Sequence, residues 1–299
     1  MNKIVECVPN FSEGKDLKVI NAIFDAAKSI KTVNPDLIGV KVFELEYNKD
    51  HNRCLFTIIG SPEDVLNSVF ESIKVATKLI DMNKHIGEHP RIGATDVVPF
   101  VPVSGVTMEE CIELSNNLAQ KVADELKIPV FLYEASAKKE EYRNLADVRV
   151  GEYEGIKNGM RKPDYGPDKP HPTAGAMVIG ARKYLIAYNV NLNTKDINIA
   201  KQIAKKIREK DGGLKAVKAL AFMVDGKAQI SMNLVDYEIT NFDEVYRAIK
   251  REIKNYKLKI VNSEIYGMIP LEALVRVVKT TFKGVTFKGD QVLEKKLWE

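Results

Sequence analysis

The chain has 299 residues and a mass of 33.6 kDa; 45% of its residues are hydrophobic, 29% are charged, and the net charge is +4. This composition is typical of a globular protein and excludes a mainly disordered chain. The nearly balanced charge argues against a nucleic-acid partner, and no apolar run approaches the roughly 18 to 20 residues of a membrane-spanning helix. No signal-peptide pattern is present and the three cysteines lie far apart, so we expect a cytoplasmic protein without disulfides.

The first half of the sequence predicts alternating strands and helices. The helices show apolar residues every three or four positions, and the second begins with Ser61 as a predicted N-cap and Pro62 in its first turn. In chain order, the predicted elements are a strand 3–8, a helix 15–30, strands 37–46 and 53–60, a helix 61–80, a strand 95–101, a helix 107–126 and a strand 129–132.

The second half repeats this order. Its predicted elements are a strand 184–190, a helix 194–210, strands 215–224 and 228–237, a helix from 240, a strand 258–265 and a last helix from 270. The dipeptide Asp225-Gly226 predicts a type I′ hairpin turn between two of these strands. We therefore predict an α+β protein of two tandem ferredoxin-like (βαββαβ) subdomains, 1–180 and 181–299, with the helices packed on one face of each sheet.

Two of the four histidines lie in one loop, residues 85–93, with the sequence HIGEHPRIG. Histidine is the side chain best suited to move protons near neutral pH, and an arginine in the same loop offers a fork for a carboxylate. A polar surface loop with incidental histidines is an equally good interpretation. His85, Glu88 and His89 also spell an inverted zinc motif, but Gly87 and Pro90 disfavour the helix which that motif needs. We expect no metal site.

A second loop, residues 163–176, contains four prolines and two glycines. Such a loop has a fixed shape and exposes backbone N–H groups, which suits a ring-shaped ligand, although a plain connector between the subdomains is the alternative. The sequence has no P-loop, no dinucleotide-binding fingerprint and no serine nucleophile elbow. From the residues alone, the chemistry indicated is acid/base transfer or hydrolysis without a metal.

The motifs resemble those of glutamate formiminotransferases. Four ordered segments carry the resemblance and span nearly the whole chain: VECVPNFSEG at 5–14, GEHPRIGA at 87–94 continuing to 103, PDYGP at 163–167 with the following residues to 182, and NVNL at 189–192. The resemblance implies transfer of a formimino group from N-formimino-L-glutamate to N5 of tetrahydrofolate, which is a co-substrate, with release of glutamate. It also implies a homodimer and a cleft between the subdomains.

The resemblance assigns roles to individual residues. The catalytic histidine of the family falls on His89, which would act as general acid and base. The folate contacts fall on Gly166, Pro167, His171, Pro172 and Gly175. Candidates for binding the carboxylates of glutamate or of the folate tail are Arg91, Arg182 and, more weakly matched, Lys215.

The sequence departs from the family at one place. Many members have an Asp-x-Asp pair where this chain has Glu44-Leu45-Glu46, so Glu46 is the candidate carboxylate for a cationic intermediate. Formyl-glutamate as donor, another pterin as acceptor, and a pterin-binding protein without catalysis stay open as alternatives.

Overall fold

The computed structural model describes residues 3–30, 39–159, 161–282 and 284–292. Its internal contacts divide the chain into two compact units, Met1–Arg182 and Lys183–Glu299. Each unit has a mixed α+β architecture, with its own sheet and its own hydrophobic core. Among the described residues, no helix is long and apolar enough to cross a membrane.

In its described part, the first unit contains seven strands and three long helices. Its elements in chain order are β1 (Ile4–Cys7), β2 (Asn10–Phe11), α1 (Leu17–Lys28), β3 (Lys41–Asn48), β4 (Arg53–Gly60), α2 (Pro62–Leu79), β5 (Thr95–Ser104), α3 (Met108–Leu126), β6 (Val130–Glu134), α4 (Leu145–Val148), α5 (Glu152–Lys157) and β7 (Met177–Ala181). The strand order across the sheet is β3, β4, β1 with β2, β5, β7, β6. All pairs are antiparallel except that β7 lies parallel to both β5 and β6.

Side-chain capping fixes the starts of the long helices. The carboxylate of Asp16 accepts hydrogen bonds from two backbone N–H groups of the first turn of α1, and Thr107 and Glu110 form a reciprocal capping box at α3. Ser61 is the N-cap of α2, as predicted, but its hydroxyl donates to Asp64 at 2.8 Å instead of accepting from the backbone. The helix therefore begins where the sequence indicates, with a different partner for the serine.

The two faces of the first sheet are covered differently. The long helices α1, α2 and α3 pack on one face, on alternate strand residues such as Phe56 and Val98. On the other face, Phe131, Val178 and Val97 pack against Val148 of α4 and Ile156 of α5. The prediction that helices cover one face only is wrong for this end of the sheet, because the segment between β6 and β7 folds back over the second face.

The second unit has a four-stranded antiparallel sheet in the order β11, β8, β10, β9. Its elements are β8 (Ile186–Leu192), α6 (Ile197–Ile207), β9 (Val217–Val224), β10 (Lys227–Leu234), α7 (Phe242–Glu252), β11 (Ile260–Tyr266) and α8 (Leu271–Thr281). The predicted hairpin between β9 and β10 is confirmed, since Asp225 and Gly226 both have positive φ, at 47° and 71°. The core consists of the alternate residues of β8 and β10 packed against α6 and α7.

Strand β7 is the main element that the sequence prediction missed. No strand or helix was predicted for residues 177–181, but they form the buried strand between β5 and β6. A strand buried on both faces is uniformly apolar and short, so it lacks the alternation by which other strands are recognised. The first two residues of the predicted strand 37–46 lie outside the described residues.

Candidate functional site

Asn52 joins three segments of the first unit at the turn between β3 and β4. It has a positive φ of 49°, and its side chain accepts from the backbone N–H of Gly14 at 2.9 Å and donates to the carbonyl of Ile86 at 3.0 Å. Gly87 lies so close that a Cβ there would be 2.4 Å from the carbonyl oxygen of His51. These contacts position the loop 85–90 against the end of β4.

A β-bulge places a carboxylate at the same end of the sheet. Asn10 of β2 pairs with Val97 of β5, whereas Phe11 pairs with Thr95, so Asp96 is an extra residue in β5. A bulge redirects a side chain from the regular alternation. Asp96 is fully buried, and it accepts from the backbone N–H of Ile92 at 3.0 Å as well as from two arginines.

Arg53 and Arg149 converge on this carboxylate. Nη1 of Arg53 donates to Asp96 at 2.8 Å, Nη2 of Arg149 forms a short ion pair with the same oxygen, and Nε of Arg53 donates to Asn10 at 3.0 Å. The side chains of Arg53 and Arg149 are only 11% and 14% exposed. Burial alone would raise the pKa of Asp96, but the two guanidinium groups outweigh it and hold that pKa below its ordinary value.

His89 lies directly beside this cluster. Its Nδ1 is 2.9 Å from Nη1 of Arg53 and 2.7 Å from the carbonyl oxygen of Pro90, and its ring meets that of His51 edge-on at 6.0 Å between centroids. Burial is the largest cause that lowers the pKa of His89, to about 4, followed by the charges of Arg53 and Arg149. The imidazole is therefore neutral at physiological pH.

Arg91 lies in a neighbouring cluster, where carboxylates of the chain itself bind its guanidinium group. It is 8% exposed, and it donates to Glu152 at 2.6 Å, to both carboxylate oxygens of Glu154 at 2.9 Å and to Nδ1 of His85 at 3.3 Å. Nε2 of His85 in turn donates to the carbonyl of Asn52 at 3.0 Å. A cavity of about 470 Å³ is lined by this cluster and its neighbours: Arg91, His85, Glu152, Glu154, Ile86, Gly87 and Gly151. That Arg91 binds a substrate carboxylate stays a prediction.

The second predicted loop, residues 163–176 (the Gly/Pro loop), packs its final turn against the segment that follows His89. Nδ1 of His171 accepts from the N–H groups of Ala174 and Thr173 at 3.0 and 3.3 Å, which closes the turn, and burial lowers the pKa of His171. Gly93 and Gly175 form a β-bridge, and a Cβ on Gly93 would lie 1.9 Å from the carbonyl oxygen of Ala176. The two predicted site loops are thus adjacent in the first unit.

Within the Gly/Pro loop, the predicted folate residues differ in accessibility. Gly166, Pro167 and Pro172 are exposed and His171 is half-buried, whereas Gly175 is buried with φ +74° and a Cβ there would be 2.6 Å from the carbonyl of Ile92. Gly175 supports the turn by permitting this close approach. Nothing in the structure tests the binding roles of these five residues.

A second bulge determines where Glu46 lies. Phe43 pairs with Thr57 and Glu46 with Leu55, with an extra residue at Glu44, whose φ is +55°. The extra residue shifts the alternation of β3, so Leu45 packs on the helix-covered core while Glu46 shares the opposite face with Leu55, and hence with Arg53. The sequence candidate Glu46 therefore lies on the same face of the sheet as the His89 cluster.

The other two basic candidates lie elsewhere. Arg182 follows β7 at the end of the first unit, where its backbone N–H donates to Phe100 and its side chain hydrogen-bonds Tyr133. Lys215 is exposed in the second unit, two residues before β9. Their roles in binding carboxylates stay predictions.

Arg53, Asp96 and Arg149 were not among the site residues predicted from the sequence. Asp96 interrupts an otherwise apolar strand, which is a signal that was available in the sequence. Arg149 lies in a segment without periodicity, and nothing in the sequence links it to Asp96. Over the part of the chain that the structure describes, no group of three or more His, Cys, Asp or Glu side chains is arranged to hold a metal ion.

Comparison with known proteins shows which family the chain belongs to. Residues 4–182 match the formiminotransferase domain, N-terminal subdomain, and residues 187–284 match the formiminotransferase domain. The chain belongs to the formiminotransferase family. The two matched segments adjoin near Arg182, where the internal contacts also divide the chain.

Individual members of the formiminotransferase family match over nearly the whole chain. A glutamate formimidoyltransferase of Streptococcus pyogenes serotype M1 is 43% identical over 99% of both chains. A protein of the same name from Thermoplasma acidophilum is 43% identical over 98% of this chain and 97% of its own. The formimidoyltransferase-cyclodeaminase of Sus scrofa is 40% identical over 92% of this chain, which corresponds to 52% of that protein.

Proposed function

We propose that this protein is a glutamate formimidoyltransferase, which transfers the formimino group of N-formimino-L-glutamate to N5 of tetrahydrofolate and releases glutamate. The observation that carries the proposal is the 43% identity, over nearly the full length of both chains, to two proteins of that name. The site geometry supports it with a neutral histidine held in a polar cluster of the first unit.

His89 is proposed to move the proton that the reaction displaces. The attacking amine of the acceptor gains positive charge as it bonds to the formimino carbon, and Nε2 of His89 takes its proton. The same nitrogen then returns the proton to the departing nitrogen of glutamate. One imidazole completes both transfers and ends in its original state, so no further acid or base is needed.

The low pKa of His89 suits this task. A general base must be unprotonated at the working pH, and the amine nitrogen that becomes positively charged on attack gives up its proton more readily than the free amine does. With a pKa of about 4, the ring carries no second proton throughout the neutral range and returns an accepted proton readily. A histidine with the ordinary pKa of about 6.5 would be partly protonated near neutrality, and the protonated fraction could not act as a base.

Glu46 is proposed to stabilise the positive charge of the tetrahedral intermediate. The bulge at Glu44 supports this role, because it places Glu46 on the face that carries Arg53. Glutamate is one methylene longer than the aspartate usual in the family, so its carboxylate reaches further from the strand. A preorganised carboxylate there would lower the energy of the cationic intermediate.

The acceptor is proposed to bind along the Gly/Pro loop. Gly166, Pro167, His171 and Pro172 present accessible backbone and ring surfaces, and the bridge from Gly175 to Gly93 links this loop to the segment that follows His89. Arg182 and Lys215 remain our proposed partners for carboxylates of the substrates.

We further infer that each unit is built on a ferredoxin-like βαββαβ motif, with β6 and β7 as an extension of the first. The support is the order β11, β8, β10, β9 in the second sheet and the matching order β3, β4, β1 with β2, β5 in the first. The homodimer stays a prediction, which the oligomeric state in solution tests.

The proposed function is tested by a transfer assay with tetrahydrofolate and three donors in parallel: formimino-glutamate, formyl-glutamate and formimino-glycine. Turnover with formimino-glutamate supports the proposal. Turnover with formyl-glutamate alone would keep the mechanism and change the donor. Binding of tetrahydrofolate without turnover from any donor would favour a pterin-binding protein.

The role of His89 is tested by His89→Ala. We expect kcat to fall by about 10²- to 10⁴-fold, the usual contribution of a general base, with unchanged affinity for tetrahydrofolate. Added imidazole should restore part of the rate, because the small base fills the space left by the side chain. A stable His89→Ala protein with parental turnover would show that the base is another group.

A further inference from the structure

Nδ1 of His89 has two neighbours that require opposite protonation states. A guanidinium group can only donate, so the 2.9 Å contact with Nη1 of Arg53 is a hydrogen bond only when Nδ1 carries no proton. A carbonyl can only accept, so the 2.7 Å contact with Pro90 is a hydrogen bond only when Nδ1 is protonated. The two bonds therefore exclude each other.

Arg53 is fixed in this position by partners other than His89. Its Nε donates to Asn10, its Nη1 also donates to Asp96, and Asp96 is held by the N–H of Ile92 and by Arg149. Asp96 is completely buried and Arg53 nearly so. The guanidinium therefore stays directed at the histidine whichever tautomer the ring adopts.

The charged and titratable groups around His89 favour a neutral ring. Arg53 approaches from β4, Arg149 from the end of α4, Asp96 from the bulge in β5, and His51 from the turn between β3 and β4. Two guanidinium groups face one carboxylate, which leaves one excess positive charge beside the imidazole. A second cation there, the imidazolium, is disfavoured.

We propose that Arg53 is a positioning residue that selects the tautomer of His89, in competition with the carbonyl of Pro90. In the free protein Arg53 donates to Nδ1, and the single ring proton is on Nε2. When the proton moves to Nδ1 and is donated to Pro90, the lone pair of Nε2 becomes available as a base. The ring loses the Arg53 bond and gains the Pro90 bond, with no net change in protons.

This inference rests on the proposed function only for its catalytic consequence. As proposed above, His89 takes the proton of the attacking amine on Nε2, which is possible only in the Pro90-bonded tautomer. Arg53 would thus hold the free protein in the form that cannot accept that proton. Its charge would also disfavour protonation of the ring by solvent, which would leave no lone pair to accept the proton of the amine.

The test is nitrogen NMR of histidine-labelled protein without substrate, because long-range proton–nitrogen correlations report which ring nitrogen is protonated. The His89 signal is assigned by its loss in His89→Gln. For the parent protein we expect the proton on Nε2 from roughly pH 5 to 8. In Arg53→Met the proton should move to Nδ1, and the ring should titrate about one pH unit higher or more.

Arg53→Met should fold, because Asp96 keeps Arg149 and the buried pair becomes electrically neutral. Arg53→Lys is the companion variant: it retains the charge but not the planar fork, so the ring should stay neutral while the tautomers mix. Arg161→Gln is the matched control. Arg161 is half-buried and, among the contacts described, hydrogen-bonds only the carbonyl of Val150, so this change should leave the His89 spectrum unchanged.

The inference is overturned if Arg53→Met shows the parental tautomer and titration of His89. If Arg53→Met does not fold, the parental tautomer in Arg53→Lys overturns it. Since the spectra are recorded without substrate, they decide the inference independently of turnover. Parental activity in His89→Ala would overturn only the proposed catalytic role. In an active enzyme, the acid limb of kcat/KM for Arg53→Met should move upward in pH together with the NMR titration.

Discussion

The substitution Asp96→Asn should be among the most destabilising changes in the first unit. Asp96 is fully buried and accepts from Arg53, Arg149 and the N–H of Ile92. Both guanidinium groups donate to Oδ2, whereas Oδ1 accepts from Ile92. An asparagine of the same shape has one oxygen, so in either orientation its amide N–H₂ faces a donor: the N–H of Ile92 in one, the two guanidinium groups in the other. Two buried cations would then share no compensating charge.

The expected loss follows from the burial of these groups. Removing one partner of a buried ion pair costs about 3–5 kcal/mol, whereas an exposed pair contributes about 0.2–1 kcal/mol. The arginines are 11% and 14% exposed, so the larger range applies. Because a typical domain is stable by about 5–15 kcal/mol, the first unit should unfold at a much lower denaturant concentration.

The loss of unfolding free energy in Asp96→Asn should depend on pH in a definite direction. The pKa of Asp96 is lower in the folded protein than in the unfolded chain, where it is about 3.9, so its stabilising contribution is fully present above that value. The contribution disappears as the pH falls through the lowered folded pKa. Parent and variant should therefore differ fully near neutrality and converge in strong acid.

Chemical denaturation, followed separately for each unit where the transitions separate, measures this difference. Asp147→Asn is the matched control: its side chain is exposed on α4 and should change the free energy of unfolding by less than about 1 kcal/mol. Adding Arg149→Gln to Asp96→Asn should restore part of the stability, since only one uncompensated buried cation then remains. A loss below about 1 kcal/mol at neutral pH in Asp96→Asn would refute the reasoning.

Three further predictions concern activity and packing. Because burial and the charges of Arg53 and Arg149 lower the pKa of His89 to about 4, kcat/KM should be flat near neutrality and fall only near pH 4; an acid limb near pH 6.5 would contradict this. Glu46→Gln should lower kcat by about 10- to 100-fold at unchanged folate affinity, while Glu44→Gln, at the exposed neighbour, should not; equal effects in kinetic assays would remove the special role of Glu46. Gly93→Ala should destabilise by at least about 1–3 kcal/mol in thermal unfolding, because its Cβ would lie 1.9 Å from a backbone oxygen, and a parental Tm would show that the two loops separate easily.

Local signals in the sequence predicted most of the elements. Helices α2, α3 and α7 begin at Ser61, Thr107 and Asn241, where polar caps precede apolar periodicity. These signals act over a few residues, so they can be recognised without knowledge of the fold. Strand β7 lacked such a signal, because burial on both faces removes the polar alternation.

The site was predictable only in part, because its charges are assembled by tertiary structure. His89 was a candidate from its loop composition and from the family motif. Asp96 and Glu46 depend on bulges, and a bulge is a property of the register between two strands that no single strand reveals. Arg149 reaches Asp96 from 53 positions away along the chain, so their pairing had no local signature.

The bridge between Gly93 and Gly175 has a consequence for how the protein opens. Ala94 donates its N–H to the carbonyl of Ala174, and Ala176 donates its N–H to the carbonyl of Ile92. The segment that follows His89 and the end of the Gly/Pro loop therefore hydrogen-bond each other in both directions. Neither segment can detach without exposing the other. In native-state hydrogen exchange, the amides of Ala94 and Ala176 should exchange at a shared rate, as a single cooperative unit. The segment that carries His89 and the loop proposed to hold the pterin would then loosen together.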